Sequence, residues 1–246
     1  HGMEALLNNL RPGDVEPTTA ELYYAMLSAH PIVGIYGFVY MAVFGAFYFL
    51  VPYLIQKPVK HPKLVVANFW LQIIGVMTCW AAGFFGLFNA MYTLYWPLPV
   101  AFDRVPVVGS IFFMLGAAAI MVNILLFSYN IFKTVLSKNG EGSYTMGQFL
   151  RAAFGIPRLL ILFGKEDKTA VNLDYNGLPP FIVAVARGSI DTVINAIVLL
   201  SAGVLILVYG LFALFGHPLN PLAVDALIYK NIYWWGLDMV ADGNAL

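Results

Sequence analysis

The sequence predicts an all-α fold: a polytopic bundle of about five transmembrane helices with one interfacial helix. Three observations predict it. The 246 residues are 61% hydrophobic and 11% charged, with a mean hydropathy of +0.79, whereas soluble domains carry roughly 25% charged residues. Four stretches of the sequence each supply the about 20 apolar residues that a helix needs to cross the hydrocarbon core. Thirteen basic and thirteen acidic residues cancel, so no overall field points to nucleic acid as a partner.

The first apolar stretch, 22–55, follows Pro17, and Thr18 with Glu21 has the spacing of a capping box. The second runs over about 64–94, the third over about 106–136 and the fourth over about 180–215. A fifth, about 222–246, is apolar at first and then carries Asp238, Asp242 and Gly243, as a helix does when its end is cut off. The single cysteine, Cys79, lies inside an apolar run and reads as a small packing residue. A sequence that starts at His1 reads as processed or as a fragment.

Between the third and fourth stretches lies 137–179. Its apolar part, 149–163, holds Arg151, Pro157 and Arg158. It is too short and too basic to span, so it is expected to lie in the interface. Lysine and arginine asymmetry sets the orientation. Lys57, Lys60 and Lys63 follow the first helix, and Lys133, Lys138, Arg151, Arg158, Lys165 and Lys168 follow the third. Loops 56–63 and 133–168 are therefore expected on the cytoplasmic face of a cell membrane. The opposite face has Arg11, Arg104 and Lys230. The first helix then enters from outside, with His30 in the outer half.

His30 is the most informative residue. An imidazole in lipid needs a partner, and histidine ligates metals and haem iron. The bland alternative is a packing histidine bonded to a carbonyl. Pro31 removes one helical hydrogen bond and favours a kink. Gly34, Gly37 and Gly45 would let another helix, or a flat macrocycle, approach the backbone. Tyr36 and Tyr40, four apart, are packing residues or hydrogen-bond donors to such a group. Arg187 and Asp191 can meet on one helix face, as an ion pair or as part of a proton route. Asn123, Asn130 and Asn195 are further inward-facing polar residues. His61 and His217 each precede proline and make no ligand spacing, and no phosphate-loop or hydrolase motif is present.

The text Leu22-Tyr-Tyr-Ala-Met-Leu-Ser-Ala-His30, with the aromatic, glycine-dotted run after it, resembles the second transmembrane helix of haem-copper oxidase subunit I. The pattern is similar to the divergent branch that includes ba3-type and archaeal quinol oxidases, over about helices two to six. That resemblance implies that His30 is an axial ligand of the low-spin haem, with Gly34, Tyr36 and Gly37 beside the macrocycle. It also makes 1–246 a single transmembrane domain, part of a longer subunit. The family has glycine where this chain has Pro31. The run Tyr229-Lys-Asn-Ile-Tyr-Trp234-Trp235-Gly-Leu-Asp238 resembles the start of the family's sixth helix. Aligned on Trp234 and Trp235, Asp238 falls at a copper-binding histidine and Asp242 at a tyrosine. Copper accepts imidazole readily, whereas a carboxylate suits harder ions. Asp238 is thus open to three readings: substitute ligand, proton-handling carboxylate, or mark of an altered copper site. A fourth is that Asp238 and Asp242 mark where the chain leaves the membrane.

The resemblance implies a terminal oxidase core subunit. Electrons from a quinol or small redox protein would pass through the low-spin haem to a high-spin haem and copper, reducing dioxygen to water and driving proton movement. A subunit II-like protein, other oxidase subunits and lipid are the implied partners. The competing readings are a non-catalytic haem-binding or assembly relative and a cofactor-free transporter.

Overall fold

The structure is a computed structural model that describes residues 19–90, 94–102, 105–136, 145–154, 156, 163 and 180–243. Four described helical spans are long and apolar enough to cross a membrane. The first is continuous over three parts: α1 (Thr19–Pro31), a π-helical stretch Ile32–Val39, and α2 (Tyr40–Ile55). α3 (Pro62–Phe84), α4 (Val107–Val135) and α6 (Pro180–Leu214) make the other three. A short α5 (Met146–Ala153) precedes α6, and α7 (Ala226–Gly243) closes the bundle. α4 is central, packed between α3 and α6, and α7 lies along α6.

The expected kink at Pro31 takes a different form. Pro31 keeps helical angles, φ −63° and ψ −32°. The helix is not broken there, and it runs on into the widened turns of the π-helical stretch. Thr18 lies outside the described residues, so the capping box is not seen.

The second helix ends at Phe84 rather than near 94. Leu87, Phe88 and Ala90 are apolar, with Asn89 among them, because they belong to a loop folded back onto the core. Leu87 takes positive φ (51°), and Phe88 stacks on Phe113 at 4.2 Å. Phe88 and Ala90 are both buried. The helix in the 137–179 segment starts at Met146, where Thr145 and Gln148 form a capping box. Thr145 N donates to Gln148 Oε1 (2.9 Å), and Gln148 N donates to Thr145 Oγ1 (3.2 Å). Residues 157–162 lie outside the described residues, so the interfacial helix is seen only over its first part. The last helix starts later than 222 because Asp225 Oδ1 accepts from both Leu227 N and Ile228 N, each at 2.9 Å. Such a side-chain cap fixes a helix start.

Small residues set the spacing of α3 and α4. A Cβ on Gly116 would lie 2.6 Å from Cys79 Sγ and 2.8 Å from Gly75 O, and one on Gly75 would lie 2.8 Å from Ile120 Cγ1. Gly86 and Gly109 likewise meet backbone to backbone. At the same end Gly83 receives Ala29 of α1, and Gly236 of α7 sits against Leu199 of α6. Close approach through small residues is how helices associate where lipid gives no hydrophobic drive. Cys79 is buried in this seam, and its thiol lies 3.4 Å from Phe113 O. An aromatic cluster completes the core: Phe44 stacks on Phe127 at 4.1 Å, with Tyr48 edge-on to the same ring.

Overpacking a tight core costs typically about 1–3 kcal/mol. Gly116→Val should therefore lower the thermal unfolding midpoint by several degrees, because backbone and the Cys79 sulfur oppose it. Gly45→Ala, with nothing within 4 Å of the new Cβ, should leave the midpoint unchanged or slightly raised. Differential scanning fluorimetry of the two variants in detergent checks the pair, and equal midpoints would contradict the seam.

Candidate functional site

The site is built on the first span. His30 is in the last turn of α1 and its ring is exposed on the outside of the described bundle. Its neighbour Ala29 packs on Gly83, one residue before the end of α3. That places His30 near the end of the bundle opposite the 56–63 loop. Gly34 is on the exposed side as well, and a Cβ added there would have nothing within 4 Å. Gly37 is different: a Cβ there would come within 3.2 Å of Val76 Cγ1, so this glycine serves the contact with α3.

Tyr36 faces inward. It is buried, and its hydroxyl has no partner among the described residues. Tyr40 is also inward, and its hydroxyl donates to the Val240 carbonyl of α7. Tyr36 lines an apolar cavity of about 210 Å³ together with Ile35, Phe113, Met121, Leu200 and Trp234. Trp234 Nε1 is a second buried donor with no partner among the described residues. Apolar cavities of this kind stay dry and admit apolar guests.

The π-helical stretch has a consequence for hydrogen bonding. Tyr40 N donates to Ile35 O, five residues back. When α2 resumes four-residue spacing, one carbonyl is passed over, and it is that of Tyr36. Gln72 Nε2 of α3 donates to it at 2.7 Å. Gln72 is in turn the end of a ladder across three spans. Asn123 Nδ2 donates to Gln72 Oε1 at 2.8 Å, and Asn68 Nδ2 donates to Asn123 Oδ1. Tyr48 Oη donates to Asn68 Oδ1, and Asn130 Nδ2 reaches Tyr48 Oη at 3.3 Å. Asn130 Nδ2 also donates to His61 O at 3.1 Å, in the loop before α3. Asn68, Gln72, Asn123 and Asn130 are all buried. Asn123 and Asn130 are among the inward-facing residues expected from the sequence. Gln72, Asn68 and Tyr48 are not, although Asn68 and Gln72 at i,i+4 are the only amides inside α3.

The other expected residues are not brought together. Arg187 is exposed and Asp191 half-buried on α6, and they form no ion pair among the described residues. The expected meeting at i,i+4 fails although the spacing allows it. The Asp191 carbonyl instead accepts from Asn195 Nδ2 at 2.8 Å. Asp238 and Asp242 are in α7, but their side chains lie outside the described residues. Trp234 and Trp235 part company: Trp234 lines the cavity and Trp235 is exposed. Among the described residues no three histidine, cysteine or carboxylate groups converge as metal ligands. These residues therefore do not by themselves fit copper. His30 does fit an axial ligand, since its imidazole is exposed near the end of the bundle.

Long apolar helices, a histidine presented from the first of them and a buried amide ladder define a multi-pass membrane protein that packs for rigidity. The chain belongs to the cytochrome c and quinol oxidase polypeptide I family, whose sequence profile matches residues 2–238. At the general level it is a terminal oxidase subunit I of a respiratory chain. Comparison with curated proteins and with solved structures gave no match.

Gln72→Leu removes the only side-chain donor described on the passed-over Tyr36 carbonyl. An unmet buried polar group costs about 1–3 kcal/mol. The variant should unfold at a lower temperature than wild type, by more than an exposed control such as Met77→Leu. An unchanged midpoint would mean that the carbonyl finds another donor.

Proposed function

We propose that this chain carries the low-spin haem side of a dioxygen-reducing terminal oxidase in the plasma membrane, with His30 as one axial ligand. The observation that supports this most is the imidazole on the outward side of the first span of a chain whose family profile covers residues 2–238. Haem, when bound, supplies one-electron transfer to a haem-copper centre where dioxygen is reduced to water. The residues of this chain hold and insulate. His30 presents a nitrogen donor, and Gly34 leaves room beside it. The π turn, fixed by Gln72, holds the stretch that follows the ligand. Tyr36 and Gly37, which the resemblance places beside the haem, support the stretch from inside.

Electrons come from a quinol or a small redox protein, and the chain works beside a subunit II-like partner. Basic loops 56–63 and 133–168 face the cytoplasm under the positive-inside rule. Asp191, with Arg187 one turn before it, is the candidate for proton handling at that end. Asp238 and Asp242 are the candidates on α7, at the family's copper-histidine and tyrosine positions. Because Asp238 stands there, a non-catalytic haem-binding relative is the second reading. Metal analysis separates the two: copper in stoichiometric amount with a high-spin haem excludes the non-catalytic one. Family membership favours both over a cofactor-free transporter.

The test is the reduced-minus-oxidised visible spectrum of the native complex, with and without carbon monoxide. Wild type should show a low-spin band and a carbon-monoxide-sensitive high-spin band. His30→Ala should lose the low-spin band and keep its fold, as read by circular dichroism. An unaltered haem spectrum in His30→Ala would overturn the assignment of the ligand.

A further inference from the structure

The end of the bundle opposite His30 carries a feature that haem and oxygen chemistry do not use. The loop between α2 and α3 is bolted onto α4. Gln56 ends α2 in a left-handed turn (φ 53°), and Lys57 N donates to Pro52 O at 3.1 Å. Lys60 N then donates to Thr134 Oγ1 at 3.1 Å, and His61 N donates to Asn130 Oδ1 at 3.2 Å. Asn130 returns the bond to His61 O. Proline at 58 and 62 stiffens the same loop. The loop backbone is therefore a fixed platform.

On this platform the loop and α4 bring a basic and an aromatic group to one ring, with two more exposed lysines flanking His61 in the chain. The His61 imidazole stacks on Tyr129, centroids 5.8 Å apart and planes 14° from parallel. Lys133 Nζ lies 5.6 Å from the centre of the same ring. Tyr129, Lys60, Lys63 and Lys133 are all exposed. Opposing charge is absent from the elements that build the platform: α2, the loop 56–61, α3 and α4 contain no aspartate or glutamate. A tyrosine at the end of a membrane span sits at headgroup depth. Lysines around it carry positive charge into the layer where phosphate lies.

We propose that His61 and Lys133 at the Tyr129 ring, with the exposed Lys60 and Lys63 on either side of His61 in the chain, form a binding site for the phosphodiester headgroup of an anionic phospholipid. The phosphate would accept from the lysine ammonium groups, and the glycerol and acyl chains would run down beside Tyr129 and the apolar outside of α4. Basic pockets between helix ends bind anionic headgroups in this way, at about 1 kcal/mol, or about fivefold in affinity, for each lysine near the surface. The fixed loop lowers the ordering cost, since the groups are held before the lipid arrives. The site needs no haem and stands apart from the reading of His30.

The intact complex containing this chain, washed in mild detergent, is titrated with phosphatidylglycerol, phosphatidylcholine or inorganic phosphate, and bound lipid is counted by native mass spectrometry. Wild type should retain phosphatidylglycerol in clear preference to phosphatidylcholine. Lys60→Gln with Lys63→Gln should weaken retention by about twenty-five-fold and Lys133→Gln by about fivefold, while Lys133→Arg should hold. Lys60 in the loop and Lys63 at the start of α3 are both exposed, so their variants should fold. Equal retention of both lipids, or unchanged retention in the glutamine variants, overturns the proposal. So does displacement of the lipid by millimolar inorganic phosphate, which would make this a free-anion site. Loss of a partner subunit from the variants with lipid retention intact also overturns it, and marks a protein interface instead.

Discussion

Lipid offers no hydrogen bonds, and every polar group that a chain takes into the bilayer must be satisfied from within. The structure depends on how this chain meets that constraint around the Tyr36 carbonyl. A widened stretch follows Pro31, it passes over one carbonyl, and Gln72 supplies the missing donor. Gln72 can reach because Gly37 lets the first span lie close to Val76 of α3, while Gly75 and Gly116 let α3 and α4 come together closely. The same approach brings Asn68 and Asn123 into contact, and the amides then satisfy one another rather than standing alone. A buried network of this kind rigidifies when it is complete and is costly when one member is lost.

The seam and the ladder divide the work along the bundle. Near His30 the contacts are small and apolar: Ala29 on Gly83, and Gly86 on Gly109. Towards the basic loop they are amide and hydroxyl bonds, ending at Asn130 and Thr134 under His61 and Lys60. The outward side of the first span keeps an exposed imidazole, while its inward side is fixed from Tyr36 to Tyr48. A ligand that must hold an iron at a set distance benefits from a helix whose other side cannot shift. Trp96 ties the loop before α4 to the loop before α7, donating to Pro221 O at 2.8 Å and packing on Tyr209 and Tyr229.

Several elements are legible in the sequence. α4 and α6 match their apolar stretches within one or two residues, because a long run of apolar residues in lipid has no other stable form. His30 stands out for the complementary reason, a polar ring where polarity is costly. The end of α3 is not legible, since hydropathy cannot tell a membrane helix from an apolar loop packed back on the core. Leu87, Phe88 and Ala90 are apolar for the second reason. Asp225 and the Thr145–Gln148 pair are visible as caps but are outweighed by the apolar residues around them. Arg187 and Asp191 have the spacing of an ion pair, yet spacing permits a contact without requiring one.

Composition and the length of apolar runs determined that the chain is a helical membrane protein, where its four longest apolar helices lie and which histidine stands out, because transfer into lipid is a local property of each segment. Only the tertiary structure decided which face of the first span looks out, which glycines serve helix contacts, and which amides pair. Those outcomes depend on what a neighbouring helix presents at the same depth. Gln72 shows the difference: in the sequence it is one of two amides in an apolar run, and in the fold it is the donor to the Tyr36 carbonyl in the turns after His30.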